Sequence, residues 1–230
     1  MSEKDAVYCG TRNVYQDMVI AVNSLLDNTK VDSVYLLIED DEFPYSMPSN
    51  VHTINVSCQT YFDRGGINYN NGWTWMVLMR CALHRVLPEL DRVLSLDTDT
   101  IVDADISELW DIDLDGYYLA AAKEPHKTQV QGRLYINAGV MMQNLKMLRD
   151  GKGDELIHAL NTKIYGFCDQ DCINEYCQGH ILEIPSSYNA NNFTEHTSAP
   201  KIIHYAGINS KRWRMYPVVQ KYRRNEEPNK

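Results

Sequence analysis

The sequence lacks an apolar run long enough to span a bilayer, and residues 1–5 lack the hydrophobic region of a secretory signal peptide. It also lacks the Cys-x2-Cys spacing of common zinc sites, because Cys168, Cys172 and Cys177 are separated by three and four residues. We therefore expect a cytoplasmic protein whose six cysteines are reduced thiols, without a structural zinc ion.

An excess of positive charge is also absent. The net charge of −9 over 230 residues argues against general nucleic-acid binding. The cations are concentrated in residues 211–224, which carry six of them and no acid, together with Trp213, Tyr216 and Tyr222. We expect residues 1–210 to form one domain. Residues 211–230 are expected to form a basic aromatic tail, either peripheral to the inner face of an anionic membrane or a solvated helix.

Strands and helices alternate along the chain. The continuous apolar run Val34–Ile38 is typical of a buried parallel strand, and Arg92–Leu96, apolar at Val93, Leu94 and Leu96, is expected to be a second short buried strand. Residues 15–26 and 75–87 instead have apolar residues at helical spacing. No internal repeat interrupts this order. The sequence therefore predicts an α/β fold with a mostly parallel sheet flanked by helices.

Two carboxylates, Asp97 and Asp99, directly follow the predicted strand Arg92–Leu96. The carboxyl ends of strands are where open α/β sheets bind ligands. Two aspartates one residue apart can share a hard divalent cation through oxygen ligands. The alternative is that they are surface capping residues, as we expect for the similar pair Asp103 and Asp105.

Four separated pieces of the chain extend this hypothesis. They are Arg80 with Leu94-Ser-Leu-Asp97-Thr-Asp99, then Tyr135-Ile-Asn137-Ala-Gly139, then Asp169-Gln170-Asp171, then His204-Tyr-Ala-Gly207 with Lys211 and Trp213. Together they resemble the retaining glycosyltransferases of family 8, in family order and over nearly the whole chain.

The resemblance implies a GT-A fold that binds a nucleotide sugar. It implies transfer of a hexose from UDP-glucose or UDP-galactose, with retention of configuration, to a glycan or other hydroxyl acceptor that is in some relatives lipid-linked. It also implies a divalent cation, Mn²⁺ or Mg²⁺, with Asp97, Asp99 and His204 as its ligands. Carboxylates combined with imidazole suit manganese.

The resemblance extends to residues that contact the donor. Thr11, Arg12 and Tyr15 resemble a uridine-binding turn in which a tyrosine stacks on uracil; the alternative for Tyr15 is a helix-start residue that packs on the sheet. Arg80 matches a residue that contacts sugar or diphosphate, and its alternative is an arginine on the polar side of a helix.

Asn137, Asp169 and Gln170 match residues that contact the donor sugar. Gln170 or Asp169 is expected to stabilise the anomeric centre, although Asp169 also fits a helix N-cap. Lys211 resembles a lysine that binds the diphosphate. Because this chain has one extra residue there and Arg212 where the family has proline, either Lys211 or Arg212 fills that role.

The acceptor side is less defined by the sequence. Trp73, Trp75 and the polar, glycine-rich residues 63–72 are candidates, because aromatic faces stack on sugars; the alternative for Trp75 is a place in the core. Glu124 stands where many family members have aspartate.

Two other functions compete with glycosyl transfer. Gly10-Thr11-Arg12 resembles part of the loop of sugar-nucleotide nucleotidyltransferases, but the flanking motifs of those enzymes are missing. A non-catalytic nucleotide-sugar or glycan binding protein would keep the fold without turnover. A glycoside hydrolase is disfavoured, because its two carboxylates need wider spacing than Asp97 and Asp99 allow.

Overall fold

The computed structural model describes residues 3–70, 72–125, 129–130, 133–191, 199–208, 210–225 and 227–228, without the side chains of residues 129, 130, 210 and 211. Its strands in chain order are β1 (Asp5–Cys9), β2 (Ser33–Ile38), β3 (Val51–Asn55), β4 (Arg92–Leu96), β5 (Thr100–Val102), β6 (Leu119–Lys123), β7 (Gln129–Val130), β8 (Arg133–Leu134), β9 (Ile136–Asn144), β10 (Ile181–Glu183) and β11 (Ile202–His204). Its α-helices are α1 (Tyr15–Asn28), α2 (Leu83–Val86), α3 (Leu145–Arg149), α4 (Lys152–Thr162), α5 (Cys168–Tyr176), α6 (Ser210–Trp213) and α7 (Pro217–Gln220). Short 3-10 helices span Arg12–Val14, Trp75–Cys81, Ser107–Asp111 and Ser186–Tyr188.

A seven-stranded sheet forms the centre of the fold, in the order β10-β6-β9-β4-β1-β2-β3. Its neighbours are parallel except for the two pairs that involve β9, so the predicted mostly parallel α/β sheet is confirmed. The chain runs outward from β1 to β3 and then returns to place β4 on the other side of β1. This reversal leaves a crevice at the carboxyl ends of β1 and β4, which is the usual ligand position in such sheets.

The core lies on both faces of this sheet. In β1, Val7 packs into one hydrophobic cluster, whereas Ala6 and Tyr8 pack into the cluster on the opposite face. Burial on both faces explains why the strands have continuous apolar runs rather than alternation. Full burial of each large apolar side chain contributes about 1.5–3 kcal/mol, so the two faces together fix the strand ends firmly.

The predicted helix over residues 75–87 differs in the structure. The segment is a 3-10 helix from Trp75 to Cys81, followed by the single turn of α2. With three residues per turn, side chains three apart lie above one another. Thr74, Val77 and Arg80 therefore share one side of the segment, and all three line the same cavity. The 3-10 helix thus directs these three side chains toward the cavity in one row, whereas an α-helix would point them in different directions.

The C-terminal segment packs on the domain instead of projecting from it. Trp213 and Tyr222, 1% and 5% exposed, belong to a cluster with residues of α1 and β5. Arg214 pairs with Asp17 and Arg224 with Asp27. The expectation that Trp213 and Tyr222 contact a membrane is wrong, because their rings are buried. In the described part of the chain, no helix has the length and apolarity to cross a bilayer.

Candidate active site

A cavity of about 520 Å³ opens at the carboxyl ends of β1 and β4. The turns after these strands, the 3-10 helix before α2, β9, the start of α5 and the residues after β11 form its walls. The residues predicted from the sequence that line it are Arg80, Asp97, Asp99, Asn137, Asp169, Gln170 and His204. Side chains from five distant parts of the chain therefore meet at the crevice that the topology creates.

Asp97 and Asp99 lie in the turn between β4 and β5. The turn is fixed by hydrogen bonds from the Thr100 hydroxyl to the Asp97 carbonyl oxygen (2.7 Å) and from the Tyr205 amide to the Asp99 carbonyl oxygen (2.9 Å). β11 pairs antiparallel with β5 and sets His204 opposite Thr100. The Nε2 atom of His204 lies 3.5 Å from Oδ2 of Asp97 and 3.3 Å from Oδ1 of Asp99.

Gly139 makes this approach feasible. Its carbonyl oxygen accepts a hydrogen bond from the Asp97 amide at 2.8 Å, so β9 lies directly against the turn. A Cβ atom at position 139 would overlap Cε1 of His204. It would also lie 2.8 Å from Nδ1 of the same ring and 2.9 Å from Oδ2 of Asp97. Only a residue without a side chain leaves room for the imidazole beside the carboxylate.

Arg80 is buried and joins two carboxylates. Its guanidinium lies 2.5 Å from Oδ1 of Asp97 and 3.0 Å from Oδ2 of Asp169, and it also donates to the Ala138 carbonyl oxygen at 2.5 Å. The alternative of an arginine on the polar side of a helix is therefore wrong. A buried charge of this kind needs such partners, so Arg80 compensates the negative charge on both sides of the cavity floor.

The charges of these groups depend on each other. Burial favours the neutral form of Asp97, but the charge of Arg80 and the hydrogen bond with His204 outweigh it and hold the pKa of Asp97 well below its usual range. Burial likewise opposes protonation of His204, yet Asp99 and Asp97 together raise its pKa to about 10. In the metal-free protein at neutral pH, an imidazolium therefore balances the carboxylates.

This donor set fits a divalent cation. One ligand atom from each of Asp97, Asp99 and His204 lies within 4.8 Å of the other two. Two carboxylate oxygens and one imidazole nitrogen are ligands that Mn²⁺ accepts, and a cation would take the place of the Nε2 proton between the carboxylates. The structure thus brings the three predicted ligands together at one point of the cavity.

α5 delivers Asp169 and Gln170 to the opposite wall. The helix starts at Cys168, whose φ of +46° is rare for a residue with a side chain. Burial raises the pKa of Asp169 to about 6 against the opposing charge of Arg80. Gln170 accepts a hydrogen bond from the Ala138 amide at 3.0 Å through Oε1. Both side chains are held in place, and Asp169 is mainly ionised at neutral pH.

The predicted uridine-binding residues lie elsewhere. Tyr15 is only 1% exposed, its hydroxyl accepts from the Glu39 amide (2.9 Å), and its ring packs on Phe43. Arg12 points outward to an ion pair with Asp40. Stacking of Tyr15 on a base is therefore excluded in this structure, and its alternative as a helix-start packing residue is correct. Cys9, Gly10 and Val14 line the cavity from this turn instead.

Aromatic residues border the mouth of the cavity. Trp73 and Phe167, 51% and 44% exposed, line it with ring centroids 6.0 Å apart. Trp75 instead stacks on Tyr69 at 5.5 Å and packs against the core, as its alternative interpretation states. Glu124 also lines the cavity, so the predicted acceptor side keeps Trp73 and Glu124 but not Trp75.

The predicted diphosphate contacts follow β11. Gly207, with φ +71°, turns the chain after His204-Tyr-Ala, and Ala206, Gly207 and Ile208 line the cavity. The backbone of Lys211 lies in α6, but its side chain falls outside the described residues. Arg212 is exposed.

One site residue escaped the sequence analysis. Asn189 is 2% exposed, and its side chain contacts Nδ1 of His204 at 2.8 Å and donates to Oδ1 of Asn137 at 2.9 Å. It follows a short 3-10 helix and belongs to none of the four matched pieces. Only its position after Pro185-Ser-Ser-Tyr188, a turn-forming stretch before β11, sets it apart in the sequence.

Comparison with known proteins identifies the family. The sequence model described as "Glycosyl transferase family 8" matches residues 6–216. The chain belongs to this family. This membership is what the four matched pieces predict.

Among its relatives, this family 8 glycosyltransferase is 31% identical to the lipopolysaccharide 1,2-glucosyltransferase of Escherichia coli K12 over 163 residues, covering 58% of this chain and 48% of the relative. It is 25% identical to the glycosyltransferase GlyF of Streptococcus pneumoniae over 143 residues, covering 56% and 36%. The chain thus spans less than half of the length of either relative.

Solved structures agree on the fold. A complex of the galactosyltransferase LgtC with donor and acceptor sugar analogues superposes with a TM-score of 0.71 at 20% identity, covering 88% of this chain and 87% of LgtC. The glycosyltransferase GlyE of Streptococcus pneumoniae gives 0.74 at 21% identity, covering 96% and 60%. The family 8 chain has the GT-A fold, and the predicted fold class is confirmed.

Proposed function

We propose that this family 8 enzyme transfers glucose or galactose from a UDP-sugar to a hydroxyl group of a carbohydrate, with retention of configuration and dependence on Mn²⁺ or Mg²⁺. The observation that carries the proposal is the convergence of Asp97, Asp99 and His204 in the same cavity as Asp169 and Gln170. A cation site and a polar wall about one cavity suit a donor that joins a diphosphate to a sugar.

The proposed mechanism assigns each group a charge to stabilise. A cation bound by Asp97, Asp99 and His204 would supply Lewis-acid stabilisation of the leaving diphosphate. Arg80 keeps Asp97 ionised and therefore ready to bind. Asp169 and Gln170 stabilise the positive charge that develops at the anomeric carbon. Lys211 or Arg212 contacts the diphosphate.

Retention requires attack on the face from which the leaving group departs, or two successive inversions. Asp169 suits the second route as a nucleophile, and Gln170 suits the first as a neutral stabiliser. Trapping with a donor whose transfer stalls, followed by mass spectrometry of the peptide that contains residues 168–176, distinguishes the routes, because only the second leaves sugar on the enzyme.

The donor base is proposed to lie against Gly10 and Val14, the residues of the first turn that line the cavity. An aliphatic side chain stacks less strongly on a base than an aromatic ring does. Uracil selectivity is therefore expected to depend on backbone contacts, with Thr11 and Arg12 as outer neighbours.

The acceptor is proposed to be a carbohydrate that contacts Trp73, Phe167 and Glu124 at the cavity mouth. Aromatic faces pack on the apolar faces of sugars, and a carboxylate accepts hydrogen bonds from hydroxyl groups. A lipid-linked glycan is our preferred form, since a relative is a lipopolysaccharide glucosyltransferase.

We infer a cytoplasmic location from the six cysteines, which are all free thiols. Peripheral membrane contact now rests mainly on cations, because the rings of Trp213 and Tyr222 are buried. Sedimentation with anionic vesicles at low and high salt tests it; binding that is absent at low salt removes the idea.

A panel of nucleotide sugars in a thermal-shift assay, with and without Mn²⁺, tests the proposed function. Stabilisation by UDP-glucose or UDP-galactose only with the metal is expected. A preference for nucleoside triphosphates would favour the nucleotidyltransferase alternative. Stabilisation without any release of UDP, in the presence of acceptor glycans or water, would favour the non-catalytic binding protein.

A further inference from the structure

His204 has two ring nitrogens, and the structure gives each a different partner. Nε2 faces the carboxylates of Asp97 and Asp99, whereas Nδ1 lies 2.8 Å from Oδ1 of Asn189. A neutral imidazole carries one proton, on either nitrogen. Which nitrogen keeps it decides whether Nε2 has a lone pair for a cation.

The hydrogen bonds around Asn137 fix the orientation of the neighbouring amides. Oδ1 of Asn137 accepts from the backbone amide of Gly139 at 2.9 Å, and this amide can only donate. Nδ2 of Asn137 donates to the carboxylate of Glu124 at 2.7 Å. Exchanging the oxygen and nitrogen of Asn137 would set donor against donor at Gly139, so only one orientation satisfies both contacts.

The same reasoning determines the orientation of the Asn189 side chain. The atom of Asn189 that lies 2.9 Å from Oδ1 of Asn137 must be a donor, because that oxygen is an acceptor. It is therefore Nδ2, and the oxygen of Asn189 faces His204. An oxygen at 2.8 Å requires a proton on Nδ1 of the imidazole.

The backbone holds this arrangement rigidly. The His204 amide donates to the Ala190 carbonyl oxygen at 2.8 Å, and the Ala190 amide donates to the Ile202 carbonyl oxygen at 2.9 Å. Asn189 and His204 are 2% and 3% exposed, so water is largely excluded from competing for Nδ1. These two hydrogen bonds fix the position of Asn189, the residue before Ala190, relative to β11, which carries His204.

We propose that Asn189 is a positioning residue that keeps the proton of His204 on Nδ1 and so directs Nε2 to a divalent cation between Asp97 and Asp99. The proposal rests on the metal dependence of the proposed function. Partners that orient a metal-bound imidazole through its second nitrogen set both its tautomer and its direction. Asn137 and, through it, Gly139 and Glu124 set the orientation of Asn189 in turn.

Three variants of the full chain test this inference. Asn189→Leu removes the acceptor at similar volume. Asn189→Asp keeps an oxygen toward Nδ1 but replaces the donor to Oδ1 of Asn137 with a second oxygen. Asn68→Leu is the matched control, since Asn68 is also 2% exposed but binds the carbonyl oxygens of Leu160 and Lys163. Mn²⁺ affinity is measured without nucleotide from the electron paramagnetic resonance signal of the free ion.

We expect Asn189→Leu to weaken Mn²⁺ binding by roughly 10- to 100-fold. Asn189→Asp is expected to weaken it by less than Asn189→Leu does, because it keeps the acceptor for Nδ1 and loses only the contact with Asn137. Asn68→Leu is expected to lower the unfolding temperature without changing the affinity. Long-range ¹H–¹⁵N spectra of histidine-labelled protein with Mg²⁺, assigned with His204→Gln, are expected to show a proton on Nδ1 in the wild type and in Asn189→Asp.

Equal losses of Mn²⁺ affinity in Asn189→Leu and Asn68→Leu would overturn the inference, because they would reflect general destabilisation. Unchanged affinity in Asn189→Leu would also overturn it, as would a wild-type spectrum with the proton on Nε2. A wild-type protein that binds no Mn²⁺ would overturn the inference together with the metal dependence. The first three outcomes leave the proposed function intact.

Discussion

The turn after β4 and the turn after β1 lie side by side at the same edge of the sheet, yet they differ in how they present side chains. After β4, Asp97 is held by β9 and faces His204 of β11. After β1, the chain enters a 3-10 helix at Arg12 and then α1 at Tyr15. Strand pairing fixes the directions of the side chains in the turn after β4. In the turn after β1, the directions of successive helical residues instead rotate by about 100°.

That difference has a direct consequence for function. A shift of one residue along the start of a helix exchanges a cavity position for a core position, as Val14 and Tyr15 demonstrate. A residue at a strand end has no such neighbour to replace it. We therefore expect large effects from substitutions beside β4 and β9, and small ones from substitutions of outward-facing residues in the turn after β1.

The largest effect is expected from Asp97→Asn. Loss of a carboxylate charge weakens both the cation site and the ion pair with Arg80. We expect kcat/KM for the UDP-sugar to fall by roughly 10²–10³-fold, measured as UDP release with Mn²⁺. Asp113→Asn is the control, since Asp113 is an exposed loop residue of a second Asp-x-Asp pattern. Wild-type activity in Asp97→Asn would contradict the assignment.

A comparable loss is expected from Gly139→Ala, which forces His204 or Asp97 to shift because the added Cβ would overlap Cε1 of His204. Displacement by about 1 Å at a reacting centre costs roughly 100-fold in rate. Gly153→Ala is the matched control, because a Cβ there would lie 2.5 Å from Nδ1 of His84, far from the cavity. Activity per folded molecule should fall only in Gly139→Ala; equal losses in both variants would point to misfolding.

Removal of the buried cation comes next. Arg80→Met leaves Asp97 and Asp169 uncompensated, and breaking a buried pair in this way costs about 3–5 kcal/mol of unfolding free energy. Urea denaturation of the metal-free protein measures it. The double variant Arg80→Met with Asp169→Asn should recover part of the loss; if it is no more stable than the single variant, the ion pair is not the cause.

The fourth prediction concerns pH. Because the pKa of His204 is raised to about 10, the ring is protonated at neutral pH and must release a proton before Nε2 can bind a cation. Mn²⁺ affinity should therefore rise roughly tenfold per pH unit between pH 6 and 8, measured by calorimetry. The stabilisation of the metal-free protein by protonated His204 has the opposite trend: it is complete below about pH 6.5 and is lost as pH rises through about 10. A flat affinity profile would contradict a role for His204.

The smallest effects are expected in the turn after β1. Arg12→Ala removes an exposed side chain whose partner is Asp40, and exposed ion pairs contribute little to stability because water screens them. We expect less than about a twofold change in KM for the UDP-sugar, whereas Val14→Asp should raise it by more than tenfold through an unpaired charge near the base and diphosphate. A large effect of Arg12→Ala would remove the contrast between the two turns.

The sequence was informative wherever a residue's direction follows from strand periodicity. The mostly parallel sheet, the Asp97–Asp99 pair at a strand end and the tip of β11 all rest on patterns within a few residues. The structure joins these ends through β11 and β5, a pairing between distant segments that local patterns do not encode.

Other features depended on tertiary contacts. The amphipathic sequence of residues 75–81 predicts a helix but does not distinguish a 3-10 helix from an α-helix. The three-residue period becomes clear only in the structure, where Thr74, Val77 and Arg80 face one cavity. Asn189 carries no motif, because its role comes from contacts with Asn137 and His204 rather than from its neighbours in the chain. The burial of Trp213 and Tyr222 likewise required the surface of α1 and β5.

The stacking of Trp213 and Tyr216 on Tyr205, at 5.4 Å and 5.3 Å, joins the end of the chain to the residue directly after His204. Truncation at residue 210 for crystallisation, or cleavage there by a protease, would therefore remove the two rings that pack on Tyr205, the neighbour of His204. Expression vectors designed for this enzyme should retain the segment through Tyr222.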